Sequence, residues 1–175
     1  RYDEYARYFT QLRPTAVLVQ ADMDSPARAV ACASGIPLIE LTLQREAEAG
    51  LFSLTGETPS PAAPGEWARP HDVALILPTS GTTAQPKLVP LTHANLLASA
   101  YTMAASLALE PQDRCLNIMP LFHIHGLVGA LLASLVSGGS VVCTPGFHAP
   151  SFLAWLKTYH PTWYTAVPTM HQAIL

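Results

Sequence analysis

The sequence predicts an α/β fold built on a mainly parallel sheet flanked by helices. Three observations carry this. Strand-like and helix-like segments alternate along the chain, the pattern of successive β-α-β units. Only 12% of residues are charged and 50% are hydrophobic, against roughly 25% charged in a typical soluble domain, so strands buried on both faces are expected. At 175 residues the chain is long enough to enclose a core.

The elements follow in order. Ala16–Gln20 (AVLVQ) reads as a buried strand. Asp24–Ser34 reads as a helix, with Pro26 in its first turn and Gly35 just past its end. Ile36–Leu41 (IPLIEL) is the next strand, which completes a β-α-β spacing. Residues 55–72 hold Pro59, Pro61, Pro64 and Pro70 among small residues. Such a stretch is excluded from helix interiors and makes a poor strand, so it reads as a surface connection. Residues 1–54 are then a first α/β lobe and residues 73–175 a second.

In the second lobe Val73–Leu77 (VALIL) reads as a buried strand, followed by a Ser/Thr/Gly loop. Leu88–Leu91 is short and extended. Thr92 caps a helix from His93 to about Leu107. Cys115–Met119 is a strand and Leu121–Val136 mostly helix. Ser140–Thr144 is a strand, Pro150–Tyr159 a helix and Thr162–Val167 a strand. A last helix starts near Pro168.

All twelve acidic residues lie at or before Asp113, and beyond Arg114 the one charged residue is Lys157. The chain starts at Arg1 and stops inside the apolar pattern Met170, Ala173, Ile174, Leu175. Both ends read as cut, and the stretch after Arg114, with Lys157 as its one charge, expects neighbours. The longest clean apolar run, about Gly126 to Val136, is short of the ~20 residues a spanning helix needs. Net charge is −3 with scattered basic residues, so nucleic-acid binding is not expected. Cys32, Cys115 and Cys143 are odd in number and lack a CxxC spacing. Cys115 and Cys143 read as buried, inert thiols in a reducing, cytoplasmic compartment.

The segment Thr79-Ser80-Gly81-Thr82-Thr83-Ala84-Gln85-Pro86-Lys87 is the most informative. It is rich in hydroxyls, lacks acid and ends on one of two lysines in the chain. Polyphosphate binding calls for such groups: backbone N–H donors, short hydroxyls and a cation. Gly81 permits close backbone approach. It is not a P-loop of the Walker type, because Pro86 precedes the lysine and Leu88 follows it. On composition alone an ordinary Ser/Thr turn stands beside the phosphate reading.

TSGTTAQPK followed by LVPLTHANL resembles the phosphate-binding signature of the adenylate-forming superfamily, which includes acyl-CoA synthetases, coumarate-CoA ligases, luciferases and peptide-synthetase adenylation domains. Thr79–Thr83, Pro86 and Lys87 match its usual form. Ala84 and Leu88 stand where glycines are usual. Met119–Leu127 (MPLFHIHGL) is similar to the family's PLFHxxG segment. Pro161–Leu175 (PTWYTAVPTMHQAIL) is similar to the strand and helix behind its acyl pocket. The resemblance covers about residues 72–175 and is nearest to the oxalate-CoA-ligase-like branch.

The resemblance implies an incomplete N-terminal large domain, truncated at both ends. It implies ATP-dependent activation of a carboxylic acid to acyl-AMP, then thioesterification to coenzyme A. Thr79, Ser80, Gly81, Thr82, Thr83 and Lys87 would hold the β- and γ-phosphates, with Lys87 neutralising the departing pyrophosphate. His123 would sit by the reacting carboxylate and gate the acyl pocket. His125, Val167, Pro168 and Thr169 would line that pocket, a polar ring at 125 suiting a small or polar acid.

His123 and His125 lack a neighbouring carboxylate or cysteine, so they are not read as a metal site. Phe122, Trp163 and Tyr164 read as core. The family's magnesium ligand, adenine and ribose contacts and C-terminal lysine lie beyond this chain, so the chain alone is expected to be inactive. One alternative is an adenylation domain loading a carrier protein. Another is a non-catalytic nucleotide-binding module.

Overall fold

The structure, a computed structural model, describes residues 1–48, 50–56, 67–79 and 87–175. They form two compact units, Arg1–Glu66 and Trp67–Leu175.

In the first unit, α1 (Tyr2–Leu12) precedes β1 (Val17–Gln20), α2 (Pro26–Ala33), β2 (Leu38–Leu43) and β3 (Phe52–Gly56). β1 and β2 run parallel, as the β-α-β spacing predicts, while β2 and β3 are antiparallel. Ser25 caps α2 by accepting the Ala27 N–H at 3.3 Å, with Pro26 at the first helical position. Val17, Val19, Ala27 and Ala31 form the core, and Tyr5 and Phe9 of α1 pack against it. Arg28 pairs with Glu40 and donates to the Gln20 carbonyl at 2.9 Å, which ties α2 to both parallel strands. Thr55 and Gly56 belong to β3 rather than to the Pro-rich connection. Residues 57–66 of that connection lie outside the described residues.

The second unit opens with β4 (Val73–Pro78) and β5 (Leu88–Thr92), an antiparallel pair. β4 is not the buried strand expected from its apolar run: Val73 is 55% exposed and Ile76 41%. Among the described strands its partner is β5 alone, and Val73, Ala74, Ile76 and Pro78 are exposed. α3 (His93–Ser106) follows directly. Its start is a reciprocal cap, with Thr92 Oγ1 accepting the Asn95 N–H at 3.2 Å and Asn95 Oδ1 accepting the Thr92 N–H at 3.1 Å.

Three further strands make an all-parallel sheet, β6 (Arg114–Asn117) between β7 (Ser140–Cys143) and β8 (Trp163–Thr165). Helices cover both of its faces. Leu116 and Ile118 turn toward α5 (Ala149–Tyr159) and α6 (Pro168–Ile174), where they pack with Phe152, Trp155 and Met170. Cys115 and Asn117 turn the other way. Asn117 reaches Gly126, and Cys115 is fully buried. The alternation of successive residues across β6 produces this division.

The stretch expected as one helix over 121–136 is divided. Leu121–His123 make a turn, Ile124 is already helical, His125–Leu132 wind as a π-helix, and α4 (Ala133–Val136) follows. Gly126 and Gly129 present no side chains on the widened turns. π-turns inside helical runs are rare and concentrate at functional sites.

At the opposite edge of the sheet Asp113 accepts the Thr162 hydroxyl at 2.6 Å and the Glu110 N–H at 2.8 Å. These donors, Thr162 first, hold its carboxyl below the usual carboxylate range. They clip the starts of β6 and β8 together, away from the strand ends that carry the site.

Candidate active site

In a parallel sheet all strands end on one edge, and ligands gather in the crevice outside those ends. Here the segments after Asn117, Cys143 and Thr165 leave from that edge. His123, His125 and Val167–Thr169 all lie on the first and last of these segments.

Thr79 and Lys87 are the two described ends of the hydroxyl-rich loop. The Thr79 N–H donates to the Lys87 carbonyl at 2.9 Å, and its hydroxyl donates to the same oxygen at 3.3 Å. The β4–β5 ladder therefore fixes where the loop leaves and returns. Both residues are exposed, so the Lys87 ammonium is open to an anion. Leu88 begins β5, extended as expected. Ser80, Gly81, Thr82 and Thr83, with Ala84, lie outside the described residues.

A cleft of about 390 Å³ lies between this hairpin and the turn after β6. Leu77, Thr79, Val89 and Leu91 line one side, Phe122 and His123 the other. Thr79 and His123, selected from segments more than 40 residues apart in the sequence, thus share one cavity. Its walls are largely apolar, a setting in which the few polar groups interact more strongly than in water. Phe122 is 73% exposed, so it is not core. Its ring lies against His123 with centroids 4.5 Å apart.

His125 does not line this cleft. It is half-buried at the head of the π-helix, its Nε2 2.7 Å from Thr165 Oγ1 at the end of β8. Val167, Pro168 and Thr169 follow two to four residues later and open α6. Val167 is half-buried, and Pro168 and Thr169 are exposed. The His125–Thr165 bond therefore joins the PLFHIHG segment to the Val167–Thr169 segment, but these residues form a group separate from the Thr79–His123 cleft. Trp163 and Tyr164 are half-buried, and Tyr164 packs on Phe152 as core. The Trp163 indole N–H is buried and has no partner among the described residues.

Two residues that the sequence does not mark shape the site. Thr165 orients the His125 ring. Asn117 is 3% exposed, and its amide spans the turn that carries His123: Oδ1 accepts the Met119 N–H at 3.1 Å and Nδ2 donates to the Gly126 carbonyl at 3.3 Å. A polar side chain inside the apolar run CLNIM is the signal that could have marked it.

Gly126 has its own constraint. A Cβ there would collide with the Pro120 carbonyl oxygen, so the turn closes only with glycine. A second, smaller cleft of about 290 Å³ opens beside Asn117, Phe122, Cys143 and Thr144.

Neither cysteine of the sheet is suited to act as a nucleophile. Burial pushes Cys115 up to about 12 and also raises Cys143. Cys143 is exposed as a residue, contrary to the expectation of a buried thiol, although its surroundings still disfavour the thiolate. Among the described residues no group of three or more His, Cys, Asp or Glu could hold a metal, and no helix is long and apolar enough to cross a membrane.

A family model described as AMP-binding enzyme matches residues 2–175. The oxalate–CoA ligase of Saccharomyces cerevisiae is 47% identical over 109 residues, which cover 62% of this chain and 20% of that protein. The acyl-CoA synthetase FUM10 of Gibberella moniliformis is 34% identical over 189 residues, covering 99% of this chain and 34% of that one. The crystal structure of ATP-bound MatB from Rhodopseudomonas palustris shares the fold with a TM-score of 0.76 at 25% identity, over 99% of this chain and 34% of that structure. The chain spans between a fifth and about a third of the length of these proteins.

Proposed function

The chain belongs to the AMP-binding enzyme family, and from that premise we propose that it forms part of an AMP-forming acid–thiol ligase. The observation that carries the reading is the cleft shared by Thr79, at the root of the hydroxyl-rich loop, and His123. Such a cleft can hold a triphosphate at one end and a carboxylate at the other.

In the first step a carboxylate oxygen attacks the α-phosphorus of ATP. The bond from that phosphorus to the bridging oxygen breaks, and pyrophosphate leaves. In the second, the thiolate of coenzyme A attacks the acyl carbon and AMP departs with the carboxylate oxygen.

The chain's own residues bind and orient. Ser80, Gly81, Thr82 and Thr83 offer hydroxyl and backbone N–H donors to the β- and γ-phosphates, Thr79 fixes the root of their loop through its two bonds to the Lys87 carbonyl, and Lys87 offsets the charge gathering on pyrophosphate. Positioning and electrostatics of this kind dominate phosphoryl-type transfer. His123 lies beside the reacting carboxylate. His125, held by Thr165, together with Val167, Pro168 and Thr169, forms the wall that sorts acids by shape and polarity. The oxalate–CoA ligase likeness supports a small, polar acid. Coenzyme A is the acceptor in this reading, in a reducing cytoplasmic compartment, and loading of a carrier protein is the second reading.

The test is exchange of labelled pyrophosphate into ATP by the complete ligase that contains this chain. Exchange should require a carboxylic acid, should be fastest with short polar acids and should proceed without coenzyme A. Exchange that is absent with every acid, while ATP still binds, would favour a non-catalytic nucleotide-binding module.

A further inference from the structure

We propose that Asn117 is a positioning residue for His123, setting the shape of the turn that presents the imidazole to the cleft. The inference rests on the reading of that cleft as an adenylation site.

The turn from Met119 to Gly126 has little packing of its own at its apex. Leu121 is 43% exposed, Phe122 73% and Ile124 46%, and His123 is exposed as well. Side chains that project into solvent do not fix a backbone. Its position must be set where the turn joins the sheet.

Asn117 stands at that junction. It is the last residue of the central strand β6, and both ends of its amide are used on the turn rather than on the sheet: the Met119 N–H at one end and the Gly126 carbonyl at the other. Its own carbonyl accepts the Thr144 N–H at 3.3 Å and the Thr144 hydroxyl at 3.1 Å, which anchors it to the segment after β7. Gly126 closes the same turn from the far side, resting against the Pro120 carbonyl. His123 in turn donates its N–H to that Pro120 oxygen at 3.2 Å.

A strand interior would accept an apolar residue at 117 as readily as Leu116. An amide is needed there only if the turn must hold one conformation. Removing it leaves the buried Met119 N–H without its acceptor and takes a donor from the Gly126 carbonyl, and the turn regains a partner for that N–H by opening. Opening moves His123 relative to Thr79 across the cleft, and displacement of a positioning group by about 1 Å costs as much as 10²-fold in rate.

A purely structural Asn117 would lower stability and act on rate independently of His123. A positioning Asn117 would act through it. A double-mutant cycle in the complete ligase separates the two. Asn117→Ser, which cannot span both partners, should lower the acid-dependent pyrophosphate exchange rate at saturating acid by about tenfold, a partial displacement on the scale just given. His123→Ala should lower it further. The double variant should be no slower than His123→Ala alone, while the fall in melting temperature caused by Asn117→Ser persists in both backgrounds.

Gly126→Ala disturbs the turn from its other closure and should show the same coupling, which keeps the test open if Asn117→Ser folds poorly. A full tenfold loss from either substitution on top of His123→Ala would overturn the proposal. So would a wild-type rate in Asn117→Ser. If His123→Ala itself exchanges at the wild-type rate, the adenylation reading of the cleft fails first and this inference falls with it, a result visible in that single variant.

Discussion

Lys87→Ala in the complete protein is expected to lower the proposed adenylation by about 10²–10³, the usual cost of deleting a donor aimed at charge that develops in the transition state. The structure supplies the reason for expecting a loss of rate without a loss of fold. What the fold uses at this position is the backbone, because the Lys87 carbonyl receives both the N–H and the hydroxyl of Thr79. The side chain is exposed and forms no ion pair among the described residues. Truncating it removes a cation from the mouth of the loop and leaves the hairpin's closing bonds in place. Melting temperature should hardly move, and the rate measured by acid-dependent pyrophosphate exchange should collapse. Exchange at the wild-type rate would remove Lys87 from the phosphate site.

His123→Ala is expected to lower the same rate by about 10², with every acid affected alike, because in the proposed reading His123 acts on the carboxylate, the group common to all substrates. Its ring contacts Phe122 but is otherwise exposed to the cleft, so unfolding should not intervene. A loss confined to some acids would instead mark His123 as a wall of the acyl pocket.

How much of this is legible in the sequence depends on what each segment has to satisfy locally. Thr92 and Asn95 are legible because a helix start must pair its own N–H groups, and the two side chains do so reciprocally. The parallel sheet is legible because Cys115–Met119, Ser140–Thr144 and Thr162–Val167 are apolar runs separated by helices. The pairing of β4 with β5 is not. An apolar run such as VALIL specifies a strand but not its neighbour, and its exposure is decided by elements elsewhere in the chain. α1 is absent from the expected elements, although Tyr5 and Phe9 stand one helical turn apart and pack on the same core. The π-helix is out of reach, since a widened turn has the same apolar composition as an ordinary one.

The site divides along the same line. Thr79, Lys87 and His123 can be chosen from their residue types and their likeness to known motifs. Asn117 is marked only as a polar residue inside the apolar run CLNIM and Thr165 not at all, because their roles are bonds made across 9 and 40 residues of sequence. Each has a side chain that could equally have served its own strand. The tertiary structure assigns one to the His123 turn and the other to the His125 ring.

The fate of the carboxylate oxygens tests the central claim most directly. The complete ligase would be supplied with ATP, coenzyme A and a short acid carrying heavy oxygen in its carboxylate, and the nucleotide product examined by mass spectrometry. Attack of the carboxylate on the α-phosphorus predicts that the product is AMP and that each AMP carries one heavy oxygen from the acid. ADP with labelled orthophosphate, or AMP free of label, would contradict an acyl-adenylate and with it the role assigned to the Thr79–His123 cleft.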